Sequence, residues 1–230
     1  MKIGFFGGSF DPPHRGHIAL ARLAIQRLGL DRVQLAPVGV QPLKRARPQA
    51  GFDDRVAMTR LAIEDQPGLE VSLIDAPRPD NRPNYTLDTI HSLRASLPQD
   101  SRIYFLMGAD SFLTIGQWHR AADLLFACDL VVAARPGFDP GVDFNRLTAA
   151  LPEGITAARS VADSHLDVLT LRGPSGRESH LCLLPDLAER ASATTIRAAL
   201  ERGQNVDEWL PPRVAAYIRE HGLYRQPAQP

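Results

Sequence analysis

An apolar run near the start of the chain enters two glycines, and two histidines then open a helix. Residues Ile3 to Phe6 read as a strand. Gly7-Gly8-Ser9-Phe10-Asp11-Pro12-Pro13-His14-Arg15-Gly16-His17 follows, after which apolar residues recur with helical spacing. Strand, tight loop and helix in that order constrain the fold more than any other stretch. Glycine lets backbone N–H groups approach a phosphate closely, and a helix N-terminus favours negative charge. His14 and His17 add donors that can become cationic. The segment therefore reads as a nucleotide site. It is neither of two common phosphate loops, since it contains no Gly-x-x-x-x-Gly-Lys-Ser/Thr and no Gly-x-Gly-x-x-Gly. A Gly/Pro turn with incidental histidines is the plainer reading, but strand, loop and helix all fall where phosphate binding needs them.

The alternation continues. His17–Leu28 reads as a helix, with Leu20, Leu23, Ala24 and Leu28 on one stripe and Gly29 as its stop. Strands are expected at Val33–Val38, Leu69–Ile74, Ile103–Met107 and Leu130–Ala134, and helices at Asp53–Asp65 and Thr86–Leu97. Such alternation predicts an α/β fold, a parallel sheet with helices on both faces that binds ligands at the carboxyl ends of its strands. Further on, Phe138–Leu151 holds a short helix. Val168–Leu171 and His180–Leu184 read as strands about a Gly173-Pro174-Ser175-Gly176 turn, and Thr194–Glu201 and Pro212–Glu220 as helices. We expect one domain over residues 1–230: a nucleotide-binding α/β core (1–184), a C-terminal helical subdomain (185–224) and a tail (225–230). The stretch Gly39–Gly51 is a long loop at a strand end, a common place for function.

Composition narrows the partners. The 230 residues are 44% hydrophobic and carry 26 basic and 26 acidic side chains. A net charge of zero gives no sign of a nucleic-acid or membrane-surface binder, and no apolar run approaches a membrane span. No secretory signal is apparent, and Cys128 and Cys182 form no CxxC pair. The chain is therefore expected to be cytoplasmic, with both cysteines buried as small hydrophobes. Small-molecule substrates are the expected partners, and a homo-oligomer is compatible with the sequence. His91, His119, His165, His180 and His221 show no metal-ligand spacing and read as surface or core residues. Arg55 reads as neutralising acidic neighbours on its own helix, outside the site.

Gly-Gly-Ser-Phe-Asp-Pro-Pro-His-x-Gly-His resembles the HxGH nucleotidyltransferase superfamily, and in this fuller form bacterial nicotinate mononucleotide adenylyltransferases. Ser192-Ala193-Thr194-Thr195-Ile196-Arg197 is similar to the Ser-x-Thr-x-Ile-Arg signature near the C-terminus of these enzymes. Asn84-Tyr85-Thr86-Leu87-Asp88-Thr89 resembles their Ser-Tyr-Thr-x-x-Thr segment. Gly108-Ala109-Asp110-Ser111 with Trp118 resembles their Gly-x-Asp-Ser…Trp segment, and Arg135-Pro136-Gly137 their Arg-Pro-Gly turn. One departure stands out: Gln41-Pro42-Leu43-Lys44 occupies a place where many members read Pro-Pro-His and then Lys or Arg. Leu43 cannot take over a histidine's role. Residues 138–190 match weakly.

The resemblance implies a Rossmann-like fold and an enzyme of NAD biosynthesis that transfers the adenylyl group of ATP to nicotinate mononucleotide. The chemistry needs little covalent help. A nucleophilic phosphate is held in line with the α-phosphorus of ATP, and donors meet the charge that develops. His14, His17 and Lys44 are the expected catalytic donors. Gly7, Gly8, Ser9, Phe10, His17, Gly108, Asp110, Ser192, Thr194 and Arg197 are expected around ATP. Tyr85, Thr86, Asp110, Trp118 and Arg135 are expected around the mononucleotide. A pyridine ring suits stacking on an indole, and its carboxylate suits the N–H groups of a helix start. ATP is a co-substrate and Mg²⁺ its companion, with no protein metal site expected. The alternatives are a nicotinamide mononucleotide or phosphopantetheine adenylyltransferase, or a catalytically silent nucleotide-binding regulator. Such a regulator would be marked by loss of His17 or of the Ser192–Arg197 cluster, and neither is lost.

Overall fold

Residues Ile3 to Phe6 are buried on both faces of their strand, so that strand must lie inside a covered sheet. The computed structural model describes residues 1–42, 48–133, 144–160, 166–184 and 192–225. The first half runs β1 (Lys2–Gly8), α1 (Arg15–Leu28), β2 (Arg32–Pro37), α2 (Phe52–Ile63), β3 (Leu69–Val71), α3 (Thr86–Ser96) and β4 (Arg102–Gly108). The second runs α4 (Ala109–Phe112), α5 (Ala121–Ala127), β5 (Asp129–Ala133), α6 (Phe144–Ala149), β6 (Thr156–Arg159), β7 (Asp167–Arg172), β8 (Glu178–Leu184), α7 (Ala193–Glu201) and α8 (Pro212–Glu220). Among the described residues, no helix is long and apolar enough to cross a membrane.

The strands form one sheet in the order β3-β2-β1-β4-β5-β8-β7-β6. β3 to β8 in that order pair in parallel, as alternating strands and helices require. The last two strands depart from the expected all-parallel sheet: β7 runs antiparallel to β8, and β6 antiparallel to β7. The reason is connection length. Gly173 donates to the Arg177 carbonyl (3.0 Å) in a short turn, and a parallel pair would need a crossover of about a dozen residues or more. Strand β6, absent from the sequence reading, is an edge strand whose residues are mostly exposed, so it carries no apolar alternation. Helix α5 is a further element without a sequence signal. At seven residues it is too short to show a period, although Leu124 and Leu125 are fully buried.

Side-chain alternation along the strands builds two cores. Phe6, Leu35, Leu106 and Val131 face a layer made by α1, α2, α7 and α8, through Leu20, Met58, Ile196 and Val214. Phe5, Phe105, Met107 and Val132 face α3 to α6, through Leu87, Ile90, Phe112, Leu124 and Leu147. Helix α1 ends at Gly29 as expected. Its left-handed backbone (φ 61°) lets its N–H close on the Ile25 carbonyl. Strand order reverses between β1 and β4, because chain connections leave these neighbours in opposite directions. The crevice beyond their carboxyl ends is where an open α/β sheet binds ligands.

Candidate active site

Gly7 and Gly8 are the last two residues of β1 rather than the turn itself. A Cβ on Gly7 would lie 3.3 Å from the Phe5 ring, and one on Gly8 3.3 Å from the Phe10 ring. The turn is made by Phe10, whose backbone is left-handed (φ 47°). For a bulky residue that conformation costs about 1–3 kcal/mol and must be held by its surroundings. Phe10 is fully buried, edge-on to Phe6 at 5.4 Å and 5.0 Å from the His17 ring.

His14 and His17 are three apart because they are the N-cap and third residue of α1. The His14 N–H donates to His17 Nδ1 (3.1 Å), and the His17 N–H donates to the His14 carbonyl (3.0 Å). Their rings lie 3.7 Å apart. A ring nitrogen that accepts from a backbone N–H holds no proton, so neutral His17 carries its proton on Nε2. The helix therefore starts at Arg15, two residues before the sequence suggested, with His17 as part of its cap. The first helical N–H, on Arg15, donates to the Trp209 carbonyl (2.9 Å).

Asp11 ties this loop to the rest of the site. The residue is 3% exposed. Gln49 N–H donates to Oδ2 (2.8 Å), and Ala50 N–H (3.1 Å) and the Tyr224 hydroxyl (2.8 Å) donate to Oδ1. Arg197 Nη1 donates to the Asp11 carbonyl (2.7 Å). Arg55, against the sequence reading, does not serve the acids of its own helix. It is buried and its Nη1 donates to the Ser9 carbonyl (2.7 Å). Burial lowers its pKa, and the Asp11 charge opposes that shift. Asp11, Arg55 and Tyr224 were all absent from the expected site. The one available signal was an aspartate inside the glycine-histidine segment.

The second half of the site is built on α3. Tyr85 is the N-cap and Thr86 the first helical residue. Asn84 locks this start to the loop after β2: its N–H donates to the Val40 carbonyl (2.9 Å), Val40 N–H donates to its Oδ1 (3.1 Å), and its Nδ2 donates to the Ala76 carbonyl (3.0 Å). The same loop meets β1 where Val38 N–H donates to the Gly8 carbonyl (2.9 Å). The Tyr85 ring stacks on His119 at 4.1 Å, so that histidine sits beside the site although exposed. Trp118 is half-buried, 6.0 Å from Phe105, and its Nε1 is buried without a partner. Such a donor is completed by water or ligand. Gly108 ends β4, and a Cβ there would meet nothing within 4 Å. Asp110 is exposed in the first turn of α4.

The C-terminal signature forms the start of α7. Ser192 is its N-cap, accepting from Thr195 N–H (3.1 Å) and paired with the Thr195 hydroxyl (2.9 Å). Thr194 is exposed in the first turn. Thr195 supports the turn through both of its bonds to Ser192. Lys44 and Arg135 lie outside the described residues. Both cysteines are buried, and burial pushes their thiols up to about 12, so neither offers a nucleophile at neutral pH.

One buried carboxyl in this region titrates with folding. Asp75 is 5% exposed, and its Oδ1 accepts from the Thr89 hydroxyl (2.5 Å). Burial raises its pKa from the ordinary 3.8, and the Thr89 bond opposes that in part. The folded chain then holds this proton more tightly than the unfolded chain does. Its contribution to stability is full below the unfolded value and is lost as pH rises through the folded one. Asp75→Asn keeps an acceptor for Thr89 and removes the titration. Measured between about pH 4 and about pH 8, the variant's thermal midpoint is expected to climb relative to wild type as pH rises. A constant difference across that range would contradict the buried-acid assignment.

The cytidylyltransferase-like family model matches residues 5–199. A protein of Laribacter hongkongensis named probable nicotinate-nucleotide adenylyltransferase is 40% identical, over 98% of this chain and 95% of its own. One of the same name from Pseudomonas fluorescens is 37% identical over 98% of each. Two solved structures of Plasmodium falciparum nicotinic acid mononucleotide adenylyltransferase, complexed with NaAD and with APC, share the fold. Their TM-scores are 0.68 and 0.66, at 16% identity, over 97% of this chain and 97% and 96% of theirs. The chain belongs to the cytidylyltransferase-like family of nucleotidyltransferases, alongside the nicotinate-nucleotide adenylyltransferases.

Proposed function

We propose that this chain transfers the adenylyl group of ATP to nicotinate mononucleotide, giving deamido-NAD and pyrophosphate. The observation that carries the reading is the histidine-capped start of α1, set against the glycine end of β1 beside the sheet's reversal point. The names of the full-length relatives support the same substrates.

An oxygen of the mononucleotide's 5′-phosphate attacks the α-phosphorus of ATP. The bond from that phosphorus to the bridging oxygen breaks, and pyrophosphate leaves with the electron pair. The protein's task is to align these groups and to meet the charge on the equatorial oxygens. His17 Nε2–H and His14 serve as donors at the mouth of α1, with Lys44 as a further cation. Gly7 and Gly8 admit the nucleotide close to the end of β1, with Ser9 and Phe10 shaping the turn. The start of α7, with Ser192 and Thr194, and the remaining guanidinium donors of Arg197 face the triphosphate. Gly108 leaves room at the end of β4, and Asp110 accepts from ribose hydroxyls. Arg135 joins the mononucleotide side. Mg²⁺ arrives with the triphosphate as part of the substrate, bound by phosphate and water.

Acid is preferred over amide by the chemistry of the α3 start. The first N–H groups of a helix have no intrahelical partner, so the backbone at Tyr85 and Thr86 offers donors only. A carboxylate accepts from them with charge assistance, and an amide brings an NH₂ that finds no acceptor. The expected preference for nicotinate over nicotinamide mononucleotide is roughly a hundredfold or more in kcat/KM. Equal values would contradict acid specificity and indicate a dual-specificity enzyme. Trp118 stacks on either ring and leaves the ratio unchanged. His17→Ala should lower kcat by ~10²–10³ in a folded protein, as loss of a preorganised donor does. Retention of half the wild-type turnover would remove His17 from the mechanism.

A further inference from the structure

We propose that Tyr224 is a positioning residue for the ATP side of the site, acting through the buried carboxylate of Asp11. The inference rests on the adenylyl-transfer reading for the identity of the ligand, and on geometry for everything else. Tyr224 lies 213 residues from Asp11 in the chain, yet its hydroxyl donates to Asp11 Oδ1 at 2.8 Å. The residue is 7% exposed and packs in the core layer beneath α1 and α7. Its backbone is left-handed (φ 62°), a conformation that a tyrosine holds only where its surroundings fix it.

The phenol remains a donor under all working conditions. Burial raises its pKa, and the Asp11 charge raises it further, against smaller opposing effects of Arg197 and Arg55. The carboxylate it meets also takes the N–H groups of Gln49 and Ala50, just before α2. The backbone of the same residue takes Arg197 from α7. His14, the α1 cap, is three residues further along the chain. One phenol hydroxyl thus fixes the side chain of a residue on which the loop before α2, the Arg197 guanidinium and the histidine loop all converge. The mononucleotide side is held by Asn84, Val40 and Ala76; Val40 shares the β2–α2 loop with Gln49 and Ala50, but among the described residues none of these three bonds to Asp11. Loss of the hydroxyl should therefore weaken ATP and spare the mononucleotide. A merely structural tyrosine would show no such split.

The test compares wild type with Tyr224→Phe, Asp11→Asn and the double variant, all well below their unfolding midpoints. ATP affinity is measured by calorimetry without the second substrate, and KM for each substrate by pyrophosphate release. Tyr224→Phe keeps the ring and removes only the hydroxyl. It should raise the ATP Kd by about tenfold, as loss of a hydrogen bond to a charged group can, with the mononucleotide KM within about twofold. The double variant should bind ATP no more weakly than Asp11→Asn alone, because the two residues act as one unit. An unchanged ATP Kd with only a lower unfolding midpoint would overturn the proposal. So would equal weakening of both substrates, or additive effects in the double variant. If Asp11→Asn does not fold, the Tyr224→Phe split decides alone. A wild type that binds ATP but releases no pyrophosphate would refute the activity, while the Kd comparison would still decide the role of Tyr224.

Discussion

The Asp11 carboxylate is all but removed from water, and a charge in that position is tolerated only where donors surround it. Two backbone N–H groups and a phenol bond to it, and the Arg197 guanidinium lies 3.8 Å from Oδ2. These donors come from three distant parts of the chain. Folding cannot satisfy the carboxylate without bringing the loop before α2, the start of α7 and the C-terminal turn against the end of β1. Arg55 adds a second tether through the Ser9 carbonyl. The unusual backbone of Phe10 is held between these two points, and the paired histidines of α1 follow directly from it.

The sheet supplies the rest of the arrangement. β1 and β4 are neighbours whose connections diverge, so their carboxyl ends open into a crevice. Three hydrogen bonds run along its rim: Val38 to Gly8, Gly39 to Asp75, and Val40 to Asn84. They join the end of β1 to the start of α3. They link a side organised by Asp11 to a side organised by Asn84. That arrangement matches a reaction in which two phosphorylated substrates meet at one phosphorus atom.

Much of this was legible in the sequence where physical signals are local. The strand–loop–helix order at Ile3 to His17, the stop at Gly29 and the span of α8 all follow from periodicity and caps. The α3 start at Tyr85 and Thr86 lies where expected. What could not be read depends on contacts between distant residues. Nothing in a tyrosine near the end of the sequence signals a partner at Asp11. Arg55 sits among acidic neighbours, so local charge pointed to its own helix, and only the fold shows Ser9 within reach. Phe10 carries no turn signal, since glycine or asparagine would normally mark a left-handed position. The exposed edge strand β6 lacks an apolar period, and the antiparallel β7–β8 pair follows from the short turn at Gly173–Arg177 rather than from any pattern within the two strands. Ser192 shows the converse case: an ordinary cap residue by local chemistry, it is a cap in the fold as well.

The central claim is that the two sides of this crevice bring one phosphate oxygen to the α-phosphorus of ATP. Purified full-length chain, incubated with ATP, Mg²⁺ and nicotinate mononucleotide and followed by phosphorus NMR and chromatography, tests it most directly. The account predicts deamido-NAD and pyrophosphate in equal amounts, with no ADP and no orthophosphate. Formation of ADP or orthophosphate in place of these products, or no dinucleotide from either the acid or the amide, would contradict it.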